Sequence, residues 1–102
     1  MARALSATDS RLLLLADGDN VLITTTSIPA GERLLVDGHT VELANDVALG
    51  FKVAADDMAQ GTLAVRFGMP IGRTTTPVAR GEVIHTNNLE SLYLRTHARG
   101  EQ

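Results

Sequence analysis

Cysteine and tryptophan are absent from this 102-residue chain, and aromatic residues make up only 3% of it. Without cysteine there is no disulfide, no thiolate metal ligand and no Cys nucleophile, so stability must come from burial or assembly. Self-association is compatible with that demand. The scarcity of aromatics leaves Val, Leu, Ile and Ala to build the core, with Phe51, Phe67 and Tyr93 as its expected large pieces. It also leaves little surface on which bases could stack. Basic runs are missing too: net charge is −3 with nine Lys plus Arg scattered along the chain. Phosphate binding needs clustered cations, so nucleic acid is not an expected partner. The longest apolar run, Leu12 to Ala16, is far shorter than a membrane span. The N-terminal MARALSATDS lacks a basic region followed by a long apolar segment, so a soluble, cytoplasmic protein is expected. A chain of this length forms one small domain with a single core, and a complete enzyme of this size would be unusual.

What is present is turn chemistry at close intervals, between short apolar runs, the pattern of a compact and mostly β domain. Arg11 to Leu15 and Val21 to Thr25 flank Asp17-Gly18-Asp19-Asn20, which predicts two strands around a turn, because Asp, Gly and Asn tolerate positive φ. The run Thr24 to Ser27 suits an exposed strand end. Leu34 to Val36 and Thr40 to Leu43 flank Asp37-Gly38, a second hairpin signal, with His39 as a solvated residue beside the turn.

Four segments share one frame: IPAGERL, VALGFKV, MAQGTLA and VARGEVI, centred on Gly31, Gly50, Gly61 and Gly81. Their glycines lie 19, 11 and 20 residues apart, too irregular for a solenoid, so each is expected to act as a local sharp turn. Glycine there lets the chain reverse and return its next apolar residue to the core.

The stretches IPAGERL, GFKVAADDMAQGTLAVRFGMPIG and VARGEVIHTNNL, within Leu12 to Tyr93, resemble the SAF-type β-clip domain of the altronate and galactarate dehydratase family. In that family the domain stands at the N-terminus or as a separate small subunit. The resemblance rests on a Gly-x-Lys at Gly50, a cation-aromatic-Gly followed by Pro-Ile-Gly from Arg66 to Gly72, and a polar His motif after the last Gly turn. It implies a SAF-type β-clip domain over residues 11–94, with a flexible lead-in at 1–10 and a polar tail at 95–102. It further implies a part of a lyase that removes water from a sugar acid, acting with a separate large subunit that carries a divalent metal, often iron. The metal ligands are not assigned to this chain. A sulfolactate sulfo-lyase subunit has the same division of labour, and SAF domains also serve as binding modules or in flagellar and pilus assembly.

Eliminating β-hydroxide from an aldonate requires a base for the proton α to the carboxylate, a positive charge for the enediolate-like intermediate, and an acid for the departing hydroxide. His85 and Lys52 are the candidate catalytic pair, with Arg66, Arg73, Asn87 and Asn88 as candidate substrate-binding residues. If the strand continues through this motif, His85 and Asn87 project from one face. Where the family usually has His-x-His-Asn, this chain has His85-Thr86-Asn87-Asn88, and where it has Gly-His-Lys, this chain has Gly50-Phe51-Lys52. Each departure replaces an imidazole, and if both positions belong to one site, that site has lost two. An amide is a poor ligand for iron and cannot carry a proton near neutral pH.

Arg66 and Arg73 also suit ordinary solvated strand positions. Asn88 could equally cap a short helix that begins at Leu89, because Leu89, Leu92 and Tyr93 have helical spacing. That apolar tail would either dock on the large subunit or close this domain's own core, and His97 beyond it is expected to have no site role. Two function classes follow: a catalytic small subunit, or a binding module that takes up a sugar acid or partner without chemistry.

Overall fold

Two short central strands whose successive side chains enter opposite cores organise the molecule. In a computed structural model describing residues 5–91, β2 (Val21–Thr24) pairs with β5 (Lys52–Ala54). With β1 (Leu12–Leu13) and β8 (Val83–Ile84) they form an antiparallel sheet of order β1-β2-β5-β8. A strand's side chains alternate between its faces, and here both faces are buried. Leu22 and Val53 enter one core with Ile28, Leu34, Val36, Leu43 and Val47, and Val21 and Ala54 enter the other with Met58, Ala64, Val78 and Ile84.

A separate hairpin covers each face. β3 (Arg33–Val36) and β4 (His39–Glu42) supply the first core, and β6 (Leu63–Arg66) and β7 (Met69–Thr74) supply the second. A last strand, β9 (Leu89–Ser91), pairs with β7 and completes a three-stranded sheet β6-β7-β9. Among the described residues the domain is all strand and turn, as a mostly β class requires, and none of its elements is a helix long and apolar enough to cross a membrane. Leu89–Ser91 is therefore strand and not the start of a helix. Leu92 to Leu94, the tail at 95–102 and His97 lie outside the described residues.

The Asp-Gly hairpin forms as expected: Val36 pairs with His39 across Asp37 and Gly38, which have φ of 52° and 82°. Positive φ at both loop residues defines a type I′ turn. The glycine frame, however, is more than a set of local turns. Gly31 to Gly61 spans 30 residues and Gly50 to Gly81 spans 31, and the hydrogen bonds repeat with the same offset. Gly31 donates to Leu43 and Gly61 to Thr74, while Gly50 donates to Thr24 and Gly81 to Ala54. Residues Ile28 and Val47 form one antiparallel bridge, Met58 and Val78 its counterpart. Asp37-Gly38 likewise recurs as Phe67-Gly68, again with positive φ at both positions. The chain is thus two copies of a unit of about 30 residues that share the central sheet.

The copies differ in how their hairpin tips are tied down. At the first tip Gly38 donates to Ala7 O, Asp37 N–H to Thr8 Oγ1, and Ser6 N–H to Asp37 Oδ1. Residues 6–9, expected to be part of a flexible lead-in, lie along this hairpin, with Asp9 N–H bonded to Leu35 O. Arg11 bridges Asp9 to Glu32, and its hydrogen bond holds the Asp9 carboxyl below the usual carboxylate range. At the second tip one carboxylate does this work. Asp19, completely buried, accepts the N–H groups of Phe67 at 2.7 Å, Gly68 at 2.9 Å and Ala16 at 3.1 Å. Beside it Asn20 accepts from Val65 N–H at 2.8 Å and donates to Leu63 O at 2.9 Å.

Three side chains sit elsewhere than composition implied. Phe51 and Phe67 are 43% and 68% exposed, so they do not anchor the core, and Tyr93 lies outside the described residues. Thr24, expected at an exposed strand end, is buried, because its hydroxyl donates to Ala48 O and accepts from Phe51 N–H.

Two stability predictions follow from these turns. At Gly61 a Cβ would meet open space, so Gly61→Ala incurs only the left-handed backbone cost of about 1–2 kcal/mol. At Gly81 the same atom would lie 2.6 Å from Val41 Cγ2. Gly81→Ala is therefore expected to lose about 1–3 kcal/mol more, and paired denaturant titrations would show the difference. Asp19→Ala leaves backbone donors at the second tip without an acceptor and should destabilise the domain by about 2–4 kcal/mol. A loss under about 0.5 kcal/mol in urea titration would mean that water replaces the carboxylate there.

Candidate functional site

The register of the central sheet places Lys52 where an apolar residue belongs. Lys52 pairs with Ile23 on one side and Ile84 on the other, so the three form a row on one face. That face also carries Val21 and Ala54 and closes the second core. Lys52 is the one charge among these described positions. Its alkyl stem can lie along the core while the ammonium reaches the edge.

At that edge is an open groove of about 590 Å³. The central sheet contributes Lys52, Ile84 and, just beyond β8, His85 and Thr86; the second hairpin contributes Arg66, Phe67, Met69, Pro70 and Ile71; Leu89 and Ser91 come from β9. His85 follows the direct partner of Lys52, which makes the two near neighbours across β5 and β8. None of the described lining residues is acidic, and among the described residues no hydrogen bond or ion pair engages the side chains of Lys52, Arg66 and His85. Two fixed cations and an imidazole with unused donors against an apolar wall suit an anion.

The other candidates lie outside this groove. Arg73 is exposed and its Nη1 donates to Gly61 O at 3.1 Å. Asn88 is buried: Oδ1 accepts His85 N–H, Nδ2 donates to Val83 O, and its own N–H reaches His85 O, each at 2.9 Å. These bonds end β8 at Ile84 and turn the chain through residues 85–88. His85 and Asn87 therefore do not alternate along a strand. Thr86 lines the groove beside His85, whereas Asn87 lines a second hollow with Asn45, Glu82 and Asn88, a hollow that His85 also borders from its other side. Phe51, at the other position where an imidazole is replaced, borders a third hollow with Pro29 and Ala48. The two replaced imidazoles thus do not belong to the groove that holds Lys52, Arg66 and His85.

Phe67, expected in the core, and Met69 also line the groove, and neither was among the candidate site residues. The available signal was Phe67 itself, an aromatic in the first place of a two-residue turn that ordinarily takes Asn or Asp. The donor set here does not fit a divalent metal, since the groove's titratable side chains are one imidazole and two cations. Among the described residues no three His, Asp or Glu side chains come together to hold one.

Comparison with known proteins agrees with this architecture. The family described as altronate/galactarate dehydratase SAF domain matches residues 10–92. Altronate dehydratase of Escherichia coli (strain K12) is 37% identical over 70 residues, which are 69% of this chain and 14% of that protein. Altronate dehydratase of Bacillus subtilis (strain 168) is 34% identical over 73 residues, 72% of this chain and 15% of the relative. The chain thus spans a small part of the length of these curated relatives. With the family pattern running through every strand of both repeats, the chain belongs to the altronate/galactarate dehydratase SAF-domain family.

Proposed function

We propose that this chain is the small subunit of a sugar-acid dehydratase that eliminates water from an aldonate or aldarate together with a separate large subunit. The observation that carries this reading is the lysine on the inward face of the central sheet, beside His85, in a groove without acidic lining. Lys52 supplies a fixed positive charge for the substrate carboxylate, whose negative charge grows as the α proton leaves. His85 takes that proton from carbon 2. The electron pair of the broken C–H bond becomes the carbon–carbon double bond as hydroxide departs from carbon 3, takes the proton that His85 now carries and leaves as water. The resulting enol then tautomerises to the 2-keto-3-deoxy acid. Arg66 adds a second anion contact from the hairpin side. The divalent metal that the family resemblance implies is assigned to the large subunit, and no step is derived through it.

The test is keto-acid release from altronate and galactarate by the chain copurified with a large dehydratase subunit. Lys52→Ala and His85→Ala are each expected to lower the rate about 10²-fold, the usual scale for losing acid–base or charge assistance. Full activity in both variants would remove the catalytic assignment. Aldonate binding by the chain alone, with no turnover on adding the partner, would instead identify a binding module.

A further inference from the structure

Phe67 combines two features that a residue selected for packing does not have. Its φ is 54°, in the left-handed region, where a bulky side chain is a real outlier. Its ring is also 68% exposed and belongs to neither core cluster. The first copy of the hairpin shows the unstrained alternative: the equivalent residue is Asp37, with φ of 52°, in an Asp-Gly pair that the turn favours. In the second copy an aromatic ring occupies this position, and burial does not compensate for its backbone strain. The ring lines the groove opposite Lys52 and His85, next to Met69, itself 65% exposed. Buried Asp19 fixes the strained residue by holding the N–H groups of both Phe67 and Gly68.

We propose that Phe67 is a ligand-contacting residue, whose ring forms the wall for the carbon chain of a small carboxylate held at its charged end by Lys52 and Arg66. The ligand class is a carboxylate with a C–H face that can lie flat on a ring, which an aldonate presents. This inference rests on the sugar-acid reading for the identity of the ligand, and on the turn geometry for the role of the ring.

Phe67→Asn separates binding from structure, because it removes the ring and installs a residue the turn prefers. Its melting temperature is expected to equal or exceed that of the unaltered chain. In calorimetric titration with altronate, alone and with the large subunit, its dissociation constant should rise about three- to tenfold, the scale of one lost aromatic contact. Phe67→Tyr, which keeps the ring, should restore most of that affinity. Unchanged altronate affinity in Phe67→Asn overturns the proposal, and so does a lower melting temperature, which would make the ring a packing residue. Lys52→Ala measured alongside distinguishes the two ideas. Weakened binding in Phe67→Asn with none in Lys52→Ala would retain the aromatic wall and reject the charge assignment. No altronate binding by the unaltered chain, alone or with its partner, would reject both.

Discussion

The placement of the second hairpin depends on two adjacent side chains, Asp19 and Asn20, which bind the backbone of β6 and of its turn. They stand just before β2, so the same few residues start the central strand and fix the hairpin against it. One wall of the groove is on the central sheet and the other on that hairpin. The position of the hairpin wall is therefore fixed by directional polar contacts, while the apolar core between sheet and hairpin adds stability with little directional control. A buried carboxylate suits this task because charge-assisted hydrogen bonds are short and orientation-dependent.

Local charge and overall charge differ in sign. The chain is net negative, yet the groove gathers Lys52, Arg66 and His85 without a lining carboxylate. Acidic residues have structural duties instead. Asp19 ties down the turn, Asp46 and Asp57 accept the N–H groups of Ala30 and Arg80, and Asp9 and Glu32 engage Arg11. Composition alone hides this separation, because it averages over positions that the fold keeps apart.

Much of the architecture was legible in the sequence, for reasons that are local. The Asp37-Gly38 hairpin and the glycine turns are short-range devices whose backbone needs are written in adjacent residues. The repeat was hidden because turn spacing alternates between long and short, and only cross-strand hydrogen bonds reveal which glycines correspond. Lys52, Arg66 and His85 are separated along the chain, and their convergence depends on register, which a single sequence does not display. Asn88 looked like a ligand or a helix cap, and its actual bonds to Val83 and His85 form only when the chain turns after β8. The aromatics misled in the opposite direction: hydrophobicity suggests burial, but Phe51 and Phe67 are exposed.

Strand β5 belongs to both copies of the repeat at once. Lys52 pairs to β2 and β8, Val53 fills the first core and Ala54 the second. Neither copy can therefore unfold and leave the other whole, although the repeat resembles two small modules in series. The two hairpins pair locally, but in the central sheet β2, β5 and β8 lie about 30 residues apart, so that sheet and the cores it divides form only once the chain has closed long loops. Folding and unfolding should accordingly be all-or-none for this domain, with the edge of its groove as cooperative as its centre.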